Sequence, residues 1–105
     1  MECDAIIVFC TMPEDDASAL AKTLVEEHLA ACVNLVPGVR SIYWWQDKLC
    51  DDSETLAIIK TTSTKRQALQ SRLAELHPYD CPEILAMDVL AGHEPYLQWL
   101  RDSVK

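Results

Sequence analysis

Cysteine and histidine are the side chains in this sequence best suited to holding a metal ion or acting as a nucleophile. The chain has five cysteines, at positions 3, 10, 32, 50 and 81, and three histidines, at positions 28, 77 and 93. No two cysteines have the C-x-x-C spacing of a zinc ribbon or a thioredoxin-like motif. There is also no nucleophile elbow, no Gly-rich phosphate loop and no H-x-x-x-H pair. We therefore predict that the chain is not an enzyme.

The charge of the chain limits the partners that it can bind. Its 105 residues include 17 acidic and 9 basic side chains, a formal net charge of -8. Binding to nucleic acid without regard to sequence needs a basic face that displaces counterions from phosphate, and no basic cluster here exceeds Lys65-Arg66. No apolar run approaches the roughly 20 residues that span a bilayer, and none resembles an export signal. We expect a single cytoplasmic domain over residues 1–105, with free thiols and neither nucleic-acid nor membrane partners.

The elements that must position the reactive side chains follow from hydrophobic periodicity. The apolar run 5–10 predicts a buried strand, and a capping box that begins at Thr11 predicts a helix that ends at about Ala31. A second capping box at Thr64 predicts the second helix. Residues 84–90 predict a last strand, and a short terminal helix follows it.

Between the two helices the sequence predicts a long β-hairpin. Residues 32–46 are expected to form one strand that is kinked at Pro37-Gly38. Asp47-Lys48 is the predicted turn, and residues 54–62 are the predicted return strand. The acidic stretch 51–53 is expected to be loose or to lie at a strand edge.

The resulting β-α-β-β-α-β order matches the ferredoxin-like arrangement, an α+β fold in which both main helices cover one face of an antiparallel sheet. The hairpin nevertheless has bulky apolar residues on both of its faces, namely Ile42, Trp44, Trp45, Ile58 and Ile59. A contiguous exposed apolar patch usually marks an interaction surface. We therefore predict a closed homo-oligomer.

Two stretches of the sequence resemble the signature segments of the CutA divalent-cation tolerance family. They are residues 29–46, LAACVNLVPGVRSIYWWQ, and residues 77–84, HPYDCPEI. The resemblance continues through Cys10-Thr11, Lys60-Thr61 and residues 96–100. It implies a cytoplasmic homotrimer of ferredoxin-like subunits, similar in architecture to the trimeric PII signalling proteins. It also implies binding of copper or other divalent metal ions and a role in the response to metal ions.

The resemblance further implies a copper site formed by the cysteine that ends the first strand and by two histidines before Pro-Tyr. These positions are Cys10, Leu76 and His77 here, and a leucine cannot bind metal. Thiolate and imidazole suit copper, and the predicted topology brings Cys10 and His77 to the same end of the subunit. We predict these two residues as metal ligands. A buried packing position for Cys10 and a helix-end position for His77 are the simpler alternatives.

The resemblance to PII architecture suggests a second function, regulation through a bound small molecule. Trp45, Lys60, Tyr79 and Glu83 are expected to converge at a cleft between subunits, where the lysine would pair with an anion and the aromatic rings would form the walls. Alternatively, Lys60 and Glu83 form an ion pair between subunits, with the two aromatic residues as interface anchors. A third possibility is an oligomeric scaffold for an unknown protein partner.

Overall fold

A four-stranded antiparallel sheet forms the centre of the structure, a computed structural model that describes residues 3–105. In chain order the strands are β1 (Ala5–Met12), β2 (Cys32–Trp45), β3 (Lys48–Thr62) and β4 (Leu85–Asp88), and they lie in the order β2-β3-β1-β4. The helices are α1 (Glu14–Glu26), α2 (Arg66–Leu76) and α3 (Glu94–Ser103). The predicted α+β, ferredoxin-like fold with its long hairpin and terminal helix is confirmed.

The hydrophobic core lies between the sheet and helices α1 and α2. Alternate residues of β1 point toward the helices, and each is 2% exposed or less: Ile6, Val8, Cys10 and Met12. Leu24 of α1 and Leu73 of α2 pack against them and are 0% exposed. Full burial of one such side chain contributes about 1.5–3 kcal/mol. We call this side of the sheet the helix face.

The other side of the sheet, which we call the open face, is only partly covered. Ile7 and Phe9 of β1 point this way and are half-buried, and the register pairs them with Met87 and Leu85 of β4. Met87 is 43% exposed and Leu85 is 58% exposed. Helix α3 covers the end of the sheet near Ala5 through a small separate apolar cluster. The part of the open face that β1 and β4 form is therefore apolar surface that residues 3–105 leave partly uncovered.

A β-bulge kinks β2 where the sequence predicts the kink. Val36 and Val39 pair with Leu56 and Glu54, so that two residues of β2 lie opposite one residue of β3. Gly38 within the bulge has φ 72°, a conformation that glycine adopts without steric cost. The extra residue reverses the side-chain alternation of β2. Even-numbered residues share the open face before the bulge, and odd-numbered residues share it afterwards.

Two details of the hairpin differ from the prediction. The turn is formed by Gln46 and Asp47, with φ 49° and 62°, and Lys48 already belongs to β3. Two successive positive φ values are characteristic of the two-residue turn whose twist matches a hairpin. The return strand also begins at Lys48 rather than at residue 54, so residues 51–53 pair with β2 instead of being loose. The β1 ladder stops at Thr55, which leaves these residues at a strand edge, the other predicted alternative, and the Arg40 side chain bonds Asp51 at 2.6 Å. This opposite charge across the ladder compensates for the acidic run.

The ends of several elements also differ from the prediction. Helix α1 ends at Glu26 rather than near Ala31, because His28 takes φ 58°. The predicted capping boxes do not form: Thr11 belongs to the β1 ladder, and the Thr64 hydroxyl bonds that of Thr62. The last strand is shorter than residues 84–90.

Within residues 3–105 no helix combines the length and the hydropathy needed to cross a membrane.

Candidate functional site

Cys10 and His77 both lie against the backbone carbonyl of Thr11. His77 Nε2 donates to this oxygen at 2.8 Å, and the Cys10 thiol contacts it at 3.8 Å. The exposed fractions of His77 and Cys10 are 7% and 0%. They meet because β1 and α2 end at the same edge of the subunit, at Met12 and Leu76. The structure thus places the two predicted metal ligands close to one shared backbone atom.

The hydrogen bonds of His77 define its protonation state. Nε2 faces a carbonyl and must donate, whereas Nδ1 accepts from the backbone N–H of Tyr79 at 3.1 Å. The ring is therefore the neutral Nε2–H tautomer. The lone pair of Nδ1, the one that could bind a metal ion, accepts the Tyr79 N–H instead. In the structure, the bond from His77 to the Thr11 carbonyl links the end of α2 to the end of β1.

The environment of Cys10 favours the thiol over the thiolate that binds metal. Burial raises the pKa of Cys10 to about 12, and the negative charges of Glu83 and Glu54 add to the effect. No group of three His, Cys, Asp or Glu residues with metal-binding geometry occurs within residues 3–105. Leu76, which occupies the third position of the predicted site, packs against the core. As arranged in one subunit, these residues do not fit a copper ion.

A cleft of about 790 Å³ opens beside His77, between the hairpin and the loop that follows α2. Its walls combine aromatic rings and carboxylates, chiefly those of Tyr43, Trp45, Tyr79, Asp52, Glu54 and Glu83. We call it the acidic cleft. The bulge in β2 contributes directly to it, because the reversed alternation points Tyr43 and Trp45 to the side of β3 that carries Asp52 and Glu54.

Hydrogen bonds between phenols and carboxylates organise this cleft. The Tyr79 hydroxyl donates to Glu54 Oε2 at 3.0 Å, and the Tyr43 hydroxyl donates to Asp52 at 2.5 Å. Burial and the neighbouring Glu54 raise the pKa of Tyr79 to about 12, and the bond to Asp52 likewise raises the pKa of Tyr43. Both phenols are therefore neutral hydrogen-bond donors over the ordinary pH range.

The four residues predicted for a ligand pocket separate into two places within the subunit. Trp45, Tyr79 and Glu83 all line the acidic cleft. Lys60 lies toward the other end of β3, where its Nζ is 3.9 Å from the sulfur of Cys32 and where it lines a smaller cleft beside α3. A ligand in the acidic cleft therefore meets carboxylates and no lysine from the described part of the same subunit.

Sequence reasoning missed Tyr43, Asp52 and Glu54 as cleft residues. Strict alternation along β2 places Tyr43 correctly only if the bulge adds one residue, and the acidic run 51–53 is predicted to be loose or to lie at a strand edge, not to line a cleft. Glu54 is 4% exposed, which is unusual for a carboxylate. One signal for this site is present in the sequence, the position of Pro37-Gly38 within an otherwise continuous strand.

The fold and the site define a small ferredoxin-like protein with one bare sheet face and an acidic, aromatic cleft beside the ends of β1 and α2. The model of the CutA1 divalent ion tolerance protein family matches residues 6–103, and the chain belongs to this family.

Individual relatives are similar over nearly the whole chain. A divalent-cation tolerance protein CutA of Pectobacterium atrosepticum is 46% identical over 104 residues, covering 98% of this chain and 94% of the relative. The solved divalent cation tolerance protein of Thermus thermophilus is 46% identical, with a TM-score of 0.92, and covers 96% of this chain and 99% of that one. The PII-like protein CutA of Nostoc sp. PCC 7120 is 33% identical, with a TM-score of 0.91, over 95% and 97% of the two chains.

The names of these relatives describe tolerance of divalent cations and no chemical reaction. They agree with the prediction that the chain is not an enzyme. The names also show that location differs within the family. The Oryza sativa relative, 42% identical, is named chloroplastic, and the Archaeoglobus fulgidus structure, 32% identical, is named periplasmic.

Proposed function

We propose that this chain contributes to tolerance of divalent cations by binding metal ions, copper included, as a cytoplasmic homotrimer. The observation that carries the proposal is the family match over residues 6–103, which includes Cys10, His77 and the acidic cleft. The cytoplasmic location is supported by the cysteines at positions 3, 10, 32, 50 and 81, which are all free thiols. Free thiols persist in a reducing compartment.

The open face supports the assembly part of the proposal. Leu85 and Met87 expose 58% and 43% of their surface there, and the half-buried Ile7 and Phe9 lie directly beside them. Apolar surface of this kind is stable in water when another subunit covers it, and most soluble oligomers close through a symmetric contact. The number of three subunits comes from the family resemblance rather than from the subunit's geometry.

Copper binding by Cys10 and His77 is the most demanding part of the proposal. Cys10 has to lose a proton that its buried position retains, and His77 has to release the Tyr79 amide before Nδ1 can accept a new partner. Because the pKa of Cys10 is about 12, the thiolate fraction rises tenfold with each pH unit below that value. Copper affinity through this pair should therefore increase steeply with pH.

An anaerobic Cu(I) titration tests these ligands. Wild type, Cys10→Ser and His77→Ala are compared with Cys50→Ser, which removes a thiol from the hairpin, away from the Thr11 carbonyl. We expect at least tenfold weaker binding in the first two variants and unchanged binding in Cys50→Ser. Equal affinity and stoichiometry in all four proteins would show that copper binds elsewhere.

The acidic cleft supports a second function, binding of a small molecule. Its volume of about 790 Å³ lies in the range of about 300–1,000 Å³ that is typical of ligand sites, and it brings Trp45, Tyr79 and Glu83 together. A thermal-shift screen of nucleotides, small anions and small cations against wild type, Trp45→Ala and Lys60→Ala tests this function. We expect shifts that Trp45→Ala abolishes and Lys60→Ala preserves. A ligand whose shift depends on Lys60 alone would place the binding site elsewhere.

A further inference from the structure

We propose that a second copy of the chain completes the acidic cleft, with Lys60 of the partner subunit entering it to pair with Glu54. This inference rests on the homotrimer proposed above and identifies one contact within it. Glu54 and Lys60 carry opposite charges on the same open face of β3, and neither has a counter-ion within residues 3–105.

Glu54 is a buried carboxylate with no opposite charge beside it in its own subunit. Its surface is 4% exposed, and its hydrogen-bond donor is the neutral Tyr79 hydroxyl, at 3.0 Å from Oε2. Asp52 and Glu83 border the same cleft and add negative charge, and within residues 3–105 no Lys, Arg or His side chain lines it. A buried carboxylate is costly unless an opposite charge compensates it. The compensating cation therefore has to come from outside the subunit.

Lys60 is the complementary case, a half-buried cation with no carboxylate beside it. It pairs with Ile7 across the ladder and lines the smaller cleft, whose other walls are mainly apolar and include Val89 and Leu97. Its Nζ lies 3.9 Å from the sulfur of Cys32, and within the described part of the chain it forms no ion pair. An ammonium group among apolar side chains needs a counter-ion for the same reason as Glu54.

These two charges cannot meet within one subunit. Residue 60 lies six positions beyond residue 54 on β3, which corresponds to about 20 Å of extended strand. In a closed ring of identical subunits, each contact joins one surface of a subunit to a different surface of the next. Glu54 of every subunit then meets a Lys60, and no charge of this kind is left over. Because Glu54 compensates the ammonium group, a small molecule in the cleft is not expected to depend on the charge of Lys60.

The other basic side chains are less suited to this contact. Four of the nine already pair with carboxylates of their own subunit, namely Arg40, Arg72, Arg101 and Lys105. Lys22 and Arg66 belong to helices on the opposite side of the sheet, Lys65 directly precedes α2, and Lys48 lies at the exposed tip of the hairpin. Lys60 lies beside Ile7 and Ile58, apolar residues of the open face that another subunit is proposed to cover.

A double-mutant cycle on subunit exchange tests the inference in the intact protein. Native mass spectrometry of unlabelled protein mixed with uniformly ¹⁵N-labelled protein gives the rate at which subunits exchange. Wild type is compared with Lys60→Met, Glu54→Gln and the double variant, because both changes keep the side-chain length and remove the charge. We expect exchange about tenfold faster or more in each single variant, and no faster in the double variant than in the faster single one. Lys22→Met on α1, the matched control, should exchange like wild type.

Wild-type exchange rates in the single variants, or effects that multiply in the double variant, would overturn the inference. If circular dichroism shows that Glu54→Gln does not fold, Lys60→Arg replaces it. This variant keeps the charge and should exchange like wild type, and equal rates for Lys60→Arg and Lys60→Met would count against the ion pair. A wild-type mass of one chain would remove the homotrimer and this contact together. A trimer in which Glu54 and Lys60 are uncoupled would remove this contact alone.

Discussion

The two faces of the sheet differ in how completely one subunit buries them, although neighbouring residues of the same strands form both faces. Ile59 on the helix face is 0% exposed, whereas Ile58, one residue earlier, lies half-buried on the open face. Similarly, Cys10 is sealed beneath the helices while Phe9 remains partly exposed. The helix face is complete within one subunit and accounts for its folding. The open face is incomplete, and both proposed contacts of the protein, with its own copies and with a ligand, lie on that side.

The largest difference between the faces should appear in the free energy of unfolding when an isoleucine side chain is truncated to alanine. We expect Ile59→Ala to lower the free energy of unfolding by about 2–4 kcal/mol at every protein concentration, because it leaves a cavity in a closed core. Ile58→Ala should cost less in a dilute subunit, and its cost should grow with protein concentration as the assembly forms. Urea denaturation over a hundredfold range of concentration measures both. Equal, concentration-independent losses would remove the distinction between the faces.

A second difference concerns the Cys10 thiol at high pH. Its pKa is raised from 9.0 to about 12, so the stability that comes from keeping the thiol neutral is fully present below pH 9. That contribution is lost as the pH rises from 9 toward 12, at up to about 1.4 kcal/mol per pH unit. We expect Cys10→Ala to lose less stability than wild type across this interval. Tyr43→Phe controls for phenol ionisation.

The measurement for Cys10 is the urea midpoint at pH 8, 9, 10 and 11 for all three proteins. Because Cys10→Ala also removes packing, the slope with pH rather than the absolute stability is the informative quantity. Parallel slopes for wild type and Cys10→Ala would show that the thiol does not titrate in this range.

The smallest effect on stability is expected from loss of the Arg40–Asp51 ion pair on the exposed part of the hairpin. Arg40 and Asp51 bond at 2.6 Å, but their side chains are 74% and 46% exposed, so water and salt screen the attraction. Arg40→Gln should leave the urea midpoint nearly unchanged at low salt and indistinguishable from wild type at 1 M salt. A large, salt-independent loss would mean that the hairpin depends on this pair for its register.

The sequence predicts the helix face well because its elements have clear hydrophobic signals, a continuous apolar run in β1 and a helix-period apolar stripe in α1. The run 5–10 and the apolar stripe of α1 identify β1, α1 and their packing without tertiary information. The side chains on the open face are harder to predict, because a single bulge at Pro37-Gly38 changes which side chains of β2 point toward the cleft. The turn position and the end of α1 depend on positive φ values at Gln46, Asp47 and His28 that no periodicity encodes.

The candidate site can likewise be predicted from the sequence only in part. Chain topology is enough to predict Cys10 and His77 at one end of the subunit. It does not show that His77 uses both ring nitrogens for backbone bonds, because these partners, Thr11 and Tyr79, come from the detailed packing of a strand end and a loop. The burial of Glu54 likewise depends on Tyr79 from a distant part of the chain.

The mass of the protein in solution tests most directly whether the open face is an interface. Light scattering at micromolar concentration should give three times the 11.8 kDa of one chain for wild type. Met87→Lys, which places a charge on the open face, should reduce the mass, whereas Val25→Lys, on the partly exposed outer side of α1, should not. A wild-type mass of one chain, or a Met87→Lys mass equal to that of wild type, would contradict the account.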